Sequence, residues 1–189
     1  MFEEVSSMIR AADRPESTKQ TDLEREVIEL FDHLQDRLSR YLLSLGLSGP
    51  DAEEIVQETF LALFRHLQLG RPRHNLRAWI FQVGHNLALK QRHRVRRHRE
   101  SLLQFGGAAA ENFFLDPEPN PEDQFFRRER QFRFSSVWAA LPEQDQSCLA
   151  LRAEGLTYRE IADILGISLG SISISLTRSL KRFARADGR

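Results

Sequence analysis

The sequence holds one cysteine, Cys148, so no internal disulfide can brace the chain, and no Cys/His cluster has zinc-site spacing. No apolar run approaches the ~18 residues that a membrane span requires. The N-terminal stretch MFEEVSSMIRAADRPES carries acids at positions 3 and 4 and no long apolar core, so it does not read as a signal peptide. Catalytic constellations are missing too. No Ser/His/Asp or Cys/His set is legible, and the paired acids Glu53 and Glu54 would point about 100° apart on a helix instead of converging on a metal. The expectation is a cytoplasmic protein that is not an enzyme and needs no metal or cofactor.

What is present is a segregated charge pattern. The 189 residues hold 27 basic and 27 acidic side chains, yet the average conceals alternating blocks. Residues 1–58 carry 14 acids and 6 bases; residues 59–99 carry 10 bases and no acid. Residues 100–126 reverse this with 6 acids and no base, and residues 127–189 carry 11 bases and 7 acids. KQRHRVRRHR, Lys90 to Arg99, packs six Lys/Arg into ten residues. Such blocks suit a protein that meets partners of opposite sign with different parts of its surface. Self-repulsion of this density survives where an anion neutralises it.

The patterning predicts an all-α chain of two small helical domains joined by a flexible acidic linker. In LEREVIELFDHLQDRLSRYLLSLGL, apolar Val27, Leu30/Phe31, Leu34, Leu38 and Tyr41/Leu42 recur at three-to-four spacing, the signature of an amphipathic helix. A second helix follows, with Ser48 as cap, Pro50 in the first turn, and Asp51, Glu53 and Glu54 at its positive end. On it Glu54, Gln57, Glu58 and Leu61 face outward, while Val56, Phe60, Leu63 and Leu67 face in. A third helix starts near Leu76 and runs through the basic block. The stretch Leu103 to Asp123, LQFGGAAAENFFLDPEPNPED, has no sustained periodicity and reads as linker. The boundaries drawn are a disordered arm over 1–24, a first domain over 25–100, the linker over 101–131 and a second domain over 132–189.

The second domain has the grammar of a helix-turn-helix. Pro142 opens a helix that ends near Gly155, Thr157 to Glu160 (TYRE) forms a capping box, and Gly166 supplies a tight turn. Ser168 caps the last helix, whose Ile172, Leu176, Leu180 and Phe183 turn inward and whose Ser171, Ile174, Ser175, Arg178, Lys181, Arg182 and Arg185 turn outward. The alternation in SISIS also fits a strand, but the flanking period and Ser168 favour helix. In such units the final helix enters the DNA major groove. Its uncharged front offers serine hydroxyls to base edges and Ile174 to a thymine methyl, and Arg178 onward can grip phosphates. A small three-helix protein-interaction domain fits the same residues.

Three segments in order, DAEEIVQETFLALFRHL, LRAWIFQVGHNLALKQRHR and GLTYREIADILGISLGSI, resemble the signatures of bacterial RNA polymerase sigma factors of the extracytoplasmic-function group. The resemblance covers residues 25–100 and 132–184. It implies a subunit that directs core polymerase to promoters and opens the strands, with no ATP-binding loop, so that binding free energy does the melting. The first segment is similar to the part that docks on the polymerase clamp helices, with Glu54, Gln57, Glu58 and Leu61 as contacts. The second resembles the part that captures the −10 element, which implies contacts by Arg73, Asn75, Trp79, Asn86, Lys90, Arg92, Arg94, Arg96 and Arg97. Within it, the loop Gln68 to Asn75 would wall a pocket for a flipped base. The −35 element is assigned to Tyr158, Ser171, Ser173, Ile174, Ser175, Arg178 and Arg182.

Core RNA polymerase (clamp helices and flap) and promoter DNA are the implied partners, and an anti-sigma protein is a candidate third. The linker would thread toward the polymerase cleft, as a nucleic-acid mimic or as a solvated tether. The chain departs from the family at Ser173 and Ser175, where basic residues are common, at Gln82, where arginine is common, and at Lys90, where aspartate is common. A weak and salt-sensitive −35 interaction is therefore expected. A stand-alone helix-turn-helix regulator is the alternative, but it leaves the outward patch of the second helix without a use.

Overall fold

A computed structural model describes residues 2–104 and 131–187, with side chains from 20–97 and 131–187. Among the described residues the chain is helical and contains no strand. In order come α1 (Phe2–Ser44), α2 (Gly49–Gln68), α3 (Leu76–Gln104), α4 (131–139), α5 (Glu143–Ala153), α6 (Tyr158–Leu165) and α7 (Leu169–Ala186). SISIS lies within α7, so the helical reading of that segment holds. Most of the expected linker lies outside the described residues.

The N-terminal unit is a three-helix assembly whose seams follow the apolar period. Leu34, Leu38, Tyr41 and Leu42 of α1 pack against Ile55, Val56, Phe60, Leu63 and Leu67 of α2, and Ile80, Phe81 and Ala88 of α3 complete the core. Ser48 caps α2 by accepting from the Asp51 amide, with Pro50 in the first turn. α3 crosses α1 closely at Gly84, where a Cβ would lie 2.8 Å from the fully buried Leu38 Cδ1.

α1 begins earlier than the expected domain boundary. Helix covers the segment expected as a disordered arm, and Leu23 is already buried. The reason is cooperative: a helix anchored by packing extends at little cost through residues of good propensity, such as Glu24, Arg25 and Glu26.

In the C-terminal unit, Leu151, Leu156, Ile161, Ile172 and Leu176 are buried around Cys148. The capping box forms in full between Thr157 and Glu160, and Gly166 takes the left-handed conformation at φ 65° that ends α6. Ser168 caps α7 through the Ser171 amide. α4 packs on α7 through Phe134 and Phe183, their ring centroids 5.7 Å apart. α5 and α6 also pack against α1 and α3, so the apolar core is continuous through both units. No single described helix is long and apolar enough to cross a membrane.

Candidate functional site

α2 presents the first surface. Glu54, Gln57, Glu58 and Leu61 lie at i, i+3, i+4 and i+7 and all are exposed, Leu61 to 57%. Leu61 thus stands out of the helix beside two acids and an amide, an apolar side chain next to negative charge.

The second surface is the loop after α2 and the outer face of α3. The loop is held from below. Gly70 and Asn75 have positive φ (65° and 53°), the His66 imidazole bonds to the Pro72 carbonyl at 3.0 Å, and its ring packs on Trp79 at 4.6 Å. Asn75 begins α3 by accepting from the Ala78 amide with its side chain at 3.4 Å. Trp79 is half-buried, which agrees with a packing role for one of its faces. Asn86 and Lys90 follow it along one side of α3 and are exposed, as are Arg94, Arg96 and Arg97. Arg73 donates to Glu26 at 2.6 Å, and Arg92 donates to Glu143 of α5 at 2.6 Å. The basic stretch thus carries ion pairs within the chain as well as exposed charge.

α7 carries the third surface. Ser173, Ile174, Thr177, Lys181, Arg182 and Arg185 are exposed and, with Arg178, line an open groove of about 460 Å³. Tyr158 is partly exposed beneath the Arg152 guanidinium, and Ser171 is half-buried, its hydroxyl 2.9 Å from that of Ser168. Arg182 reaches the Ala140 carbonyl at 3.3 Å.

Two sequence expectations fail on this helix. Ser175 is buried, 1% exposed, and donates to Asp145, so it faces inward and is not placed to touch DNA. Leu180, expected inside, is 57% exposed, and Ser179 takes the inner position. The apolar residues alone do not define the inner face, because a buried carboxylate on α5 gives Ser175 a partner inside. Arg178 is also engaged by Asp145 through Nε at 2.9 Å and Nη2 at 2.7 Å. Burial pushes the Asp145 carboxyl up, but the Arg178 fork and the Ser175 hydroxyl outweigh it and hold it below the ordinary value.

Sequence reading missed the junction between the two units. The Glu154 side chain, 10% exposed, accepts from Arg40 Nε at 3.1 Å and Nη2 at 3.0 Å and faces Arg37 Nε at 3.5 Å. Its carbonyl accepts from Arg37 and Arg77. Bonding to Glu154 raises the Arg40 pKa above its usual value. Gln82, where the family commonly has arginine, donates to the Asp163 carbonyl at 3.4 Å.

Behind these pairs the Tyr41 hydroxyl bonds to His85 Nδ1 at 2.7 Å, close to Ser147 and Cys148 of α5. Burial lifts the Tyr41 phenol and the Cys148 thiol, and burial together with the Arg92 charge lowers His85. Burial raises Glu160, but bonds from the Thr157 amide and hydroxyl, with Arg77 and Asn75 close by, bring it below its ordinary value. Two residues assigned to −10 contacts, Asn75 and Arg92, therefore meet carboxylates of the C-terminal unit.

Comparison with known proteins completes the picture. The model of Sigma-70 region 2 matches residues 30–99, and that of Sigma-70, region 4 matches residues 133–183. The RNA polymerase sigma factor CnrH of Cupriavidus metallidurans is 28% identical over 146 residues, covering 75% of this chain and 76% of the relative. The ECF RNA polymerase sigma factor RpoE of Cereibacter sphaeroides is 26% identical over 156 residues, 82% of each chain. For SigE of Mycolicibacterium smegmatis, 29% identical, the match spans 57% of the relative's length. Among solved structures, RpoE of Bartonella quintana bound to the anti-sigma factor NepR aligns with TM-score 0.59 at 20% identity, over 87% of this chain and 96% of that one. CnrH bound to the cytosolic domain of CnrY aligns at 0.58, also 20% identical, over 89% and 92%. At that identity the structural likeness speaks for the fold alone.

Proposed function

The chain belongs to the sigma-70 family, in its extracytoplasmic-function group, and on that premise we propose how its surfaces divide the work of transcription initiation. Such a protein is a sigma factor: it joins core RNA polymerase, directs it to promoter DNA and supports initiation. Sigma factors are in general not enzymes; they supply specificity to one. The observation that carries this function is the ordered pair of matches, region 2 over 30–99 and region 4 over 133–183, in one chain.

In this reading the first domain, residues 25–100 extended back to Leu23, docks on polymerase through Glu54, Gln57, Glu58 and Leu61. The acids steer the encounter and Leu61 supplies the desolvated centre of the contact. The −10 element lies along Trp79, Asn86 and Lys90, with the loop from Gln68 to Asn75 walling the space for an unstacked base. Arg94, Arg96 and Arg97 continue the track as phosphate contacts, and Arg73, Asn75 and Arg92 join it by exchanging Glu26, Glu160 and Glu143 for DNA. Base contacts and counterion release together offset the cost of unpairing, with no nucleotide hydrolysis.

The second domain, residues 132–189, reads the −35 element with α7: Ser173, Ile174 and Thr177 at the front, and Lys181, Arg182 and Arg185 behind. Thr177 replaces the buried Ser175 in the set of candidate contacts. Tyr158 flanks the helix, and Ser171 contributes through the cap.

The action is placed in the cytoplasm, with the polymerase. RpoE of Bartonella quintana has been captured with an anti-sigma factor, and we extend to this chain a comparable anti-sigma protein. A stand-alone regulator is disfavoured because it gives the exposed Leu61 and its acidic ring no task. Transcription in vitro with core polymerase tests the assignment: initiation at defined promoters is expected, with loss on Leu61→Asp.

A further inference from the structure

We propose that Asp145, a residue of α5 that lies behind the DNA-facing surface, is a positioning residue for −35 recognition, aiming Arg178 at a guanine. The inference rests on the assignment of α7 as the −35 helix and adds a specificity device to it.

Asp145 is fully buried at the start of α5, while Arg178 is about half exposed and lines the groove along α7. The fork between them is bidentate: Nε donates to Oδ2 at 2.9 Å and Nη2 to Oδ1 at 2.7 Å. The Ser175 hydroxyl donates to the same Oδ1 and fixes the carboxylate in turn. A guanidinium has five N–H donors in one plane. With the Nε/Nη2 edge held from inside, the Nη1 hydrogens and the second Nη2 hydrogen remain. One from each nitrogen forms the end-on parallel pair that fits O6 and N7 of a guanine in the major groove.

The same pairing makes Arg178 a poor phosphate clamp. Its charge is balanced by a buried carboxylate close by, and long-range attraction for the DNA backbone is correspondingly small. Lys181 and Arg185, exposed further along the groove, are better placed for that task. The front of α7 is uncharged at Ser173, Ile174 and Thr177, so Arg178 is the first cation its groove offers to a base edge. A side chain already locked into one rotamer also loses little freedom when it binds.

The test uses full-length protein with core polymerase and competition among promoters randomised in the −35 element. Wild type is expected to prefer guanine at one position by about tenfold, the size of one bidentate base contact. Arg178→Ala and Asp145→Asn should each flatten that preference while leaving the other positions unchanged. In the Arg178→Ala background, Asp145→Asn should change the profile less than twofold, because it acts through Arg178 (about the error of additivity for unlinked sites). Ser175→Ala, which leaves the fork but removes the hydroxyl that steadies the carboxylate, should weaken the guanine preference less than Asp145→Asn does. Thermal unfolding of each variant checks that the unit stays folded, and Arg178→Lys, which keeps a cation beside buried Asp145 but lacks the fork, should also lose the guanine preference and carries the test if Asp145→Asn does not fold.

Three results would overturn the inference. One is a wild-type profile with no guanine preference that depends on Arg178. Another is a uniform loss across sequences in Arg178→Ala, with the salt slope reduced by about one, which is the mark of a phosphate contact. The third is a loss from Asp145→Asn that persists without Arg178, which marks a merely structural role. If wild type shows no polymerase-dependent promoter binding at all, the function assignment falls and takes this inference with it. A wild-type protein that initiates without a guanine preference removes the inference alone.

Discussion

The junction between the two units makes a quantitative prediction through Glu154. Its carboxylate is nearly buried, at 10% exposure, between Arg37 and Arg40, whose side chains are 33% and 60% exposed. Removing one partner of a fully buried pair costs about 3–5 kcal/mol, and an exposed pair contributes about 0.2–1 kcal/mol. Here the acid is inside and its partners are partly in water. The backbone bonds from Arg37 and Arg77 to the Glu154 carbonyl also survive any side-chain change.

Glu154→Gln should therefore weaken the junction by about 1–2 kcal/mol, a factor of roughly 5–30 in the closed-to-open ratio. Solution X-ray scattering reads this directly, since opening the junction lets the two units separate and raises the radius of gyration. The variant should show a larger radius and a less cooperative melt than wild type, and Glu154→Arg, which places a third cation between two arginines, should show more of both. Glu58→Gln, changed on an exposed face, should behave as wild type. Unchanged scattering and melting in both Glu154 variants would refute the view that this ion cluster holds the units together.

Other perturbations test other parts of the fold and surface. Gly84→Ala gains about 1 kcal/mol of helix propensity but forces a methyl to 2.8 Å from buried Leu38, an overpacking cost of about 1–3 kcal/mol; a lower melting temperature is expected, and a rise would contradict the close crossing of α1 and α3. His85 is held neutral by burial and by Arg92, with Tyr41 bonded to its ring. Because its folded pKa lies below the unfolded value, its share of stability is complete above about pH 6.5 and is lost as the pH falls through that value, and His85→Gln should flatten the pH dependence of the melting temperature between pH 7 and 5. Leu61→Asp should weaken core-polymerase binding by about tenfold or more without changing the melt, as checked by gel filtration with core enzyme. Lys181→Ala should lower DNA affinity evenly across sequences and reduce the salt slope by about one.

Helix faces were the most legible part of the sequence, because each of α1 and α2 packs on one side and so carries a 3.6-residue apolar stripe. Val56, Phe60, Leu63 and Leu67 lie inside and Glu54, Gln57, Glu58 and Leu61 outside, as the spacing of α2 requires. Local caps were equally legible at Ser48, Thr157/Glu160, Gly166 and Ser168, since each is set by residues within four positions. The inner face of α7 was not. Ser175 looks like a solvent residue until Asp145, thirty positions earlier, is folded against it. The junction was hidden for the same reason on a longer scale. Arg40 and Glu154 are 114 positions apart, and nothing local to either announces the other. The burial of Leu23, ahead of residue 25, was not legible because it is a single apolar residue in a polar stretch, and one residue carries no period.

The central claim is that one chain couples polymerase docking through α2 to promoter reading through α3 and α7. The most direct measurement is initiation in vitro by purified core polymerase on genomic promoter DNA, with wild-type protein and with Leu61→Asp. Transcripts from defined start sites with wild type, and none with the variant despite a normal melt, are predicted. Protein that binds specific DNA without core polymerase and yields no defined transcripts with it would contradict the account.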